Sequence, residues 1–272
     1  MSAFTTAFIG AGNMARSMIG GLLTAGFAAQ DIGAADPVAD NLEALRALGL
    51  TSLGSDNAVI AGAADVVVLA VKPQVMRSVC ESLAPAMRND TLVISIAAGI
   101  PADSLSEWLG GRARLVRCMP NTPAMLGLGA SALYAYGDIS EALRHRAQTV
   151  LEAVGVVRWV DQEDLLHAVT ALSGSGPAYF FLFMEAMIAE AKRMGLDEES
   201  ARTLCAQTCI GAGRMLIVGD AEAGELRRRV TSPGGTTERA VAAFESAGLA
   251  ELVGTAMRDC HARSRELAAA LS

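Results

Sequence analysis

The sequence predicts an α/β fold: an N-terminal doubly wound sheet wrapped by helices, followed by a domain built only of helices. Short β-rich runs alternate with helical patterns up to Asp161, which is how a parallel sheet covered by helices reads along a chain. The central runs are nearly continuous apolar stretches, as strands covered on both faces should be. Beyond Asp161 the strand signal stops and helical patterns alone continue. The domains are accordingly placed at residues 1–161 and 162–272.

In chain order the strands are "TTAFIG", "DIGAAD", "DVVVLAV", "TLVISIA", "RLVRCMP", "ASALYAY" and "VVRWV", and helices such as Asn13 to Ala25, Val38 to Leu48, Gln74 to Met87 and Ser140 to Val154 lie between them. The second domain reads as helices over 163–172, 177–194, 198–218, 221–230, 233–246 and 249–271. Its segment from Ala178 to Ala191 is apolar on most faces, and a helix apolar all round must be covered by neighbours. In so small a domain a second subunit is a natural cover, so an obligate homodimer through the C-terminal helices is expected.

With 272 residues, 52% of them hydrophobic, the chain can bury one sizeable core or two modest ones. A net charge of −7 gives no electrostatic reason to expect nucleic acid. The basic run Arg227 to Arg229 reads as a solvated helix face. Phe4 to Ile9 runs straight into a glycine turn and is a strand rather than a leader, so export is not expected. The most hydrophobic stretch, "AYFFLFM", is followed at once by Glu185, Glu190 and Lys192. It falls short of the roughly 18 uncharged residues a membrane span needs, and no membrane association is expected. Five cysteines without a CxxC pair fit a reducing cytoplasm. Cys205 and Cys209 share a helix face with no histidine near them in sequence, so core packing is expected there and no metal site.

The chemistry starts at "IGAGNMA", Ile9 to Ala15. Gly10-x-Gly12-x-x-Ala15 follows a strand and opens a helix, and Asp36 ends the next strand 24 residues after Gly12. That is the context a dinucleotide-binding turn requires. Gly10 permits the tight turn, Gly12 lets the backbone approach a pyrophosphate, and Ala15 keeps the helix close to the sheet. N–H groups at the helix start, from Ala11 to Met14, then face the anion. The first domain is therefore Rossmann-type. Asp36 either selects NADH by accepting the ribose 2′-OH and repelling a 2′-phosphate, or with Pro37 simply starts a turn.

Further strand ends close with small or turn-forming residues: "AVKPQ" (Ala70, Val71, Lys72, Pro73), "IAAGIP" (Ala97, Gly99) and "CMPNTPA" (Pro120, Asn121). Ligands of doubly wound sheets sit beyond the carboxyl ends of the strands, so these loops should line one crevice. Lys72, one of two lysines in the chain, either meets a cofactor or structural carbonyls there or is an ordinary solvated lysine. In the helical domain, "SGSGPAY" (with Ser175) and "SPGGTT" each set glycines, hydroxyls and a proline before a helix start. One such turn is adequately explained as a helix cap, whereas two in one small domain favour a pocket for a small carboxylate.

"FIGAGNMA", "AVKP", "SIAAG", "RCMPNTPA", "SGSGPAY" and "SPGGTT", in this order over essentially the whole chain, resemble pyrroline-5-carboxylate reductase. The resemblance implies NADPH or NADH as cofactor, 1-pyrroline-5-carboxylate as substrate and L-proline as product, the last step of proline biosynthesis. It also implies an interlocked dimer of the helical domain, in the family often assembled into rings, here a decameric ring as an option. It implies a substrate carboxylate held by Ser232, Gly235, Thr236 and Thr237. Asn57 would lie near the adenosine ribose and its 2′-phosphate, and Ala70 with Lys72 and Pro73 would form the wall around the nicotinamide half. Family members that use NADPH commonly carry serine before the proline of the second strand's turn, and Asp36 departs from that.

Hydride transfer to a cyclic iminium needs little acid–base machinery, because the substrate already carries the positive charge that makes its carbon electrophilic. Orientation can contribute on the order of 7 to 11 kcal/mol. No catalytic role is assigned to His145, His167 or His261. The Thr237 hydroxyl is the candidate for a hydrogen bond to the ring nitrogen, either keeping it protonated or relaying a proton from water. A two-domain 3-hydroxyacid dehydrogenase would place a lysine in the first long helix of the second domain, whereas here the only lysine, Lys192, sits near its far end. A non-catalytic NAD(P)-binding sensor would have no need of "SPGGTT".

Overall fold

The computed structural model describes residues 4–111 and 114–270. The first part of the chain forms one eight-stranded sheet: β1 (Thr6–Ile9), β2 (Ile32–Ala35), β3 (Ser52–Gly54), β4 (Val66–Leu69), β5 (Leu92–Ser95), β6 (Arg114–Met119), β7 (Gly129–Tyr136) and β8 (Gly155–Val160). Their spatial order is β3-β2-β1-β4-β5-β6-β7-β8. β3 is absent from the sequence reading. It is a three-residue edge strand with no fully buried residue, so it lacks the apolar run that marks its neighbours. The sheet is also not parallel throughout, since β7 pairs antiparallel with β6. A short 3₁₀ turn, Thr122–Leu126, joins the two, and so brief a connection cannot make the crossover that parallel pairing demands.

Strands β1, β2, β4 and β5 are buried along their whole length. Because successive side chains point to opposite faces, Phe8, Val66 and Val68 join one core cluster, while Ile9, Val67 and Leu69 join another. Helices α1 (Asn13–Thr24), α2 (Ala39–Arg46), α3 (Asn57–Gly62), α4 (Pro73–Leu83), α5 (Ala102–Trp108) and α6 (Glu141–Glu152) complete this layer structure. In α1 the buried stripe is Ala15, Met18, Ile19 and Leu22, the spacing of one helical face. Each large aliphatic side chain so buried contributes about 1.5–3 kcal/mol. At the β7–β8 pair the backbones approach closely: Gly155 has φ +149°, and a Cβ there would run into the Gly129 carbonyl.

The remaining helices are α7 (Leu165–Val169), which runs into a π-helical turn at Thr170–Gly174, then α8 (Gly176–Arg193), α9 (Glu198–Val218), α10 (Ala223–Arg229), α11 (Thr236–Ser246) and α12 (Leu249–Ala270). By packing, the chain divides into two compact units. One comprises the chain up to Ser175 together with the segment from Cys260 onward, and the other is Gly176–Asp259. The change from strand to helix pattern at Asp161 therefore does not coincide with the change in packing. Leu166 and Ala171 are buried with the sheet, and α7 contacts β6 and β7.

In the second unit Phe180, Phe181, Leu182, Ile210 and Ile217 are exposed in the single chain. An apolar groove of about 590 Å³ is lined by residues including Phe180, Phe183, Met184 and Leu216. Of α8 only Gly176 is buried, so its apolar faces lack cover within one chain. No single helix among the described residues is long and apolar enough to cross a membrane.

Within the first unit the end of α12 is held at α7: Ser264 Oγ lies 2.8 Å from His167 Nδ1, and Arg265 forms an ion pair with Asp164. Burial holds His167 below the ordinary histidine pKa of 6.5; Asp164 opposes this shift, while Arg117, His261 and Arg265 add to it. The folded state then binds fewer protons than the unfolded chain between the depressed value and 6.5. Stability from this group is therefore complete above that window and is lost as pH falls through it. The urea midpoint is expected to drop between about pH 7 and pH 5, and His167→Gln to flatten that drop. An unchanged slope in the variant would assign the effect to other groups.

Candidate active site

Strands β2, β1, β4, β5 and β6 run parallel, so the loops leaving their carboxyl ends emerge along one edge of the sheet. Gly10 opens the first of these loops with φ +95°, and a Cβ there would lie 2.7 Å from the Ala70 carbonyl oxygen. Its N–H donates to Ala35 O at 2.8 Å. Gly12 is the N-cap of α1, with no side-chain cap and no acid in the first turn, and a Cβ on it would meet nothing within 4 Å. An uncapped helix start behind open space fits a bound pyrophosphate. Asn13 lies in that turn, where its Oδ1 accepts from Arg16 and its carbonyl from Ser17 Oγ; Met14 follows it, half-buried.

Asp36, 7% exposed, does more than either reading of the sequence foresaw. Its Oδ2 accepts the Ala11 N–H at 2.7 Å, while Oδ1 accepts the Val38 N–H at 2.8 Å and Asn41 Nδ2 at 3.1 Å. One carboxylate thus ties the glycine turn to the β2–α2 turn that contains Pro37. Ala11 N–H is consequently engaged within the chain, which leaves the donors of Gly12 and the first helical turn for an anion.

Along the same edge, Asn57 is the first residue of α3, whose N-cap Asp56 accepts from Ala58 and Val59. Ala70 N–H donates to Ile9 O at 2.8 Å. Val71 leads into Lys72, the N-cap of α4, with Pro73 at its first position. Lys72 is exposed. Ala97 is buried and Gly99 has φ +78°. Pro120 is buried. Asn121 is also buried, and its side chain is committed within the fold, with Oδ1 accepting the Ala130 N–H at 2.9 Å and Nδ2 donating to Ser173 O at 3.0 Å. Ser175 Oγ lies 3.2 Å from Cys260 Sγ. Burial pushes the Cys118 thiol up to about 12, so it is no thiolate nucleophile.

In the second unit Ser232, Thr236 and Thr237 are exposed. Gly235 is the N-cap of α11, with no side-chain cap, and its N–H donates to Ser232 O at 3.0 Å. Glu238 reaches back to the Gly234 N–H at 2.7 Å, the ordinary service of an acid in a first helical turn. The sequence reading missed Glu163, whose Oε1 accepts both Ala102 N–H and Arg117 Nη1 at 2.7 Å. No local pattern could have revealed it, because the partners are 61 and 46 residues away.

Residues 163–267 match the family described as pyrroline-5-carboxylate reductase dimerisation. Residues 5–99 match the family described as NADP oxidoreductase, coenzyme F420-dependent. A curated pyrroline-5-carboxylate reductase from Pseudomonas aeruginosa is 50% identical over 268 residues, covering 98% of each chain. The chain belongs to the pyrroline-5-carboxylate reductase family. A solved pyrroline-5-carboxylate reductase from Coxiella burnetii superposes with a TM-score of 0.93 at 40% identity, covering 98% of this chain and 99% of that one. A pyrroline carboxylate reductase from Plasmodium falciparum, solved with NADP bound, matches with a TM-score of 0.86 at 26% identity, over 98% and 99% of the two chains. The pyrroline-5-carboxylate reductase dimerisation match takes in α7 to α11 and most of α12, the region that holds the uncovered apolar faces.

Proposed function

We infer that the chain reduces 1-pyrroline-5-carboxylate to L-proline with NAD(P)H. The observation that carries this reading is the 50% identity to a reductase of that name over 98% of both chains. The bound dihydronicotinamide supplies a hydride. Gly12 and the first turn of α1 hold the pyrophosphate, and Asn57, Pro37, Ala97, Gly99 and Pro120 shape the rest of the nucleotide's bed. Ser232 and Thr236 grip the substrate carboxylate through hydroxyl and N–H donors, with Gly235 shaping the turn between them, and Ser175 contributes a further hydroxyl to the substrate. The Thr237 hydroxyl hydrogen-bonds the ring nitrogen and keeps its proton in place while the adjacent carbon accepts the hydride. The protein works as a homodimer through its C-terminal helices, with a decameric ring as a further assembly, in a reducing cytoplasm.

Asp36 sets the choice of nucleotide. The segment Asp36 to Asp40 carries two acids and no base, and a carboxylate at the end of the second strand accepts a ribose 2′-OH and repels a 2′-phosphate. Asp36→Ser is expected to raise the NADPH-to-NADH ratio of kcat/KM by about tenfold or more. Because the carboxylate also satisfies the Ala11 N–H, the variant should lose about 1–3 kcal/mol of stability. A ratio that stays put would remove the selecting role.

The reading as a whole is tested by following NADH and NADPH oxidation with 1-pyrroline-5-carboxylate. Substrate-dependent oxidation with proline as the product supports it. A purified, folded, nucleotide-binding dimer that produces no proline with either nucleotide overturns it.

A further inference from the structure

We propose that Arg117 and Glu163 are positioning residues for the hydride transfer, one clasp that fixes two strand-end loops in register with the segment leading to Ser175. The proposal rests on the reductase reading above. A single oxygen, Glu163 Oε1, accepts the Ala102 N–H and Arg117 Nη1, both at 2.7 Å. Ala102 opens α5 at the end of the loop that holds Ala97 and Gly99, and Pro101, its N-cap, offers no side-chain acceptor. Arg117 lies on β6 just before Pro120 and Asn121. Glu163 lies just before α7, and its carbonyl accepts the Leu166 N–H at 2.9 Å. Asn121 carries the linkage on to the Ser173 carbonyl at the end of the π-helical turn.

The clasp is an odd choice if stability were its purpose. Arg117 is the one arginine among the described ion pairs whose side chain is buried, at 7% exposure, and its Nε is buried without a hydrogen-bond partner among the described residues. Even a fully buried ion pair is weak evidence for stability, since apolar residues of similar volume often serve the fold as well or better, and here the Glu163 side chain keeps 27% of its surface exposed. A charged pair does impose direction: the guanidinium and the helix-start N–H must both face one oxygen, which fixes how the two loop ends stand to each other. Transfer between positioned reactants is sensitive to misplacement of about 1 Å.

The test uses the full-length enzyme, and wild-type turnover of 1-pyrroline-5-carboxylate comes first. Without it the reductase reading falls and this proposal falls with it. Given wild-type turnover, E163A is expected to lose about 20-fold or more in kcat. Its Kd for NADH, read by nicotinamide fluorescence, should rise by no more than about 3-fold, because the main grip at Gly12 and Asp36 is independent of the clasp and only the lesser contacts of the Ala97, Gly99 and Pro120 loops depend on it. E163Q should recover kcat to within about 3-fold of wild type, because the amide Oε1 can accept both hydrogen bonds. Should E163A fail to fold, R117M/E163M, an apolar pair of similar bulk, carries the test: a normal melting temperature with low kcat supports the proposal. Wild-type kcat in E163A or in the double variant overturns it. So does a parallel loss of kcat, NADH affinity and melting temperature that E163Q does not rescue, which is the signature of a mere structural prop.

Discussion

Gly10→Ala is expected to raise the Kd for both NADH and NADPH by about 100-fold or more, equivalent to about 2.7 kcal/mol. Two costs meet at this residue. Its φ of +95° is one that a residue with a Cβ rarely adopts, which costs about 1–3 kcal/mol. The added Cβ would also stand 2.7 Å from Ala70 O and 2.9 Å from Ala70 C. Those are backbone atoms at the end of β4, held by the Ala70 N–H to Ile9 O bond, so the turn must yield rather than the strand. A yielding turn displaces the donors of Gly12 and the first turn of α1 from the pyrophosphate. Fluorescence titration reads the affinity, and circular dichroism confirms that the sheet, whose core lies in β1, β2, β4 and β5, has survived. Unchanged affinity in a folded variant would show that the turn does not hold the nucleotide.

Thr237→Ala is expected to lower kcat by about 100-fold while leaving NADH affinity as it is, the scale on which a positioned proton partner contributes. Thr237 stands in the first turn of α11 with its side chain exposed. Neighbouring donors are already spent, Gly235 N–H on Ser232 O and Gly234 N–H on Glu238. Thr237→Ser, which keeps the hydroxyl, should restore most of the rate. Steady-state kinetics on both variants decide the matter, and a kcat/KM for Thr237→Ala equal to wild type would remove the role.

Much of the fold was legible from local pattern. Continuous apolar strands such as "DVVVLAV", the 3.6-residue stripe of α1 and the glycine turn after β1 follow from interactions within a few residues, and all stand where the sequence put them. The short elements were not legible: β3, α3 and α5 bury too few side chains to leave a periodicity. The direction of β7 was missed because apolar strands read alike whichever way they pair. At the site, the backbone roles of Gly10 and Gly12 could be read from spacing. The commitments of Asn121 and Asp36 to partners inside the fold could not.

The sequence by itself determined the class of fold, the nucleotide-type turn at Gly10 to Ala15 and the apolar C-terminal helices that need a cover, because each is written in the spacing of neighbouring residues. Tertiary structure alone decided which polar groups meet: Asp36 with Ala11, Asn121 with Ser173, and Glu163 with Arg117 and Ala102. These partners lie 25 to 61 residues apart. Their meeting depends on strand order and loop direction, which chain-local chemistry does not encode.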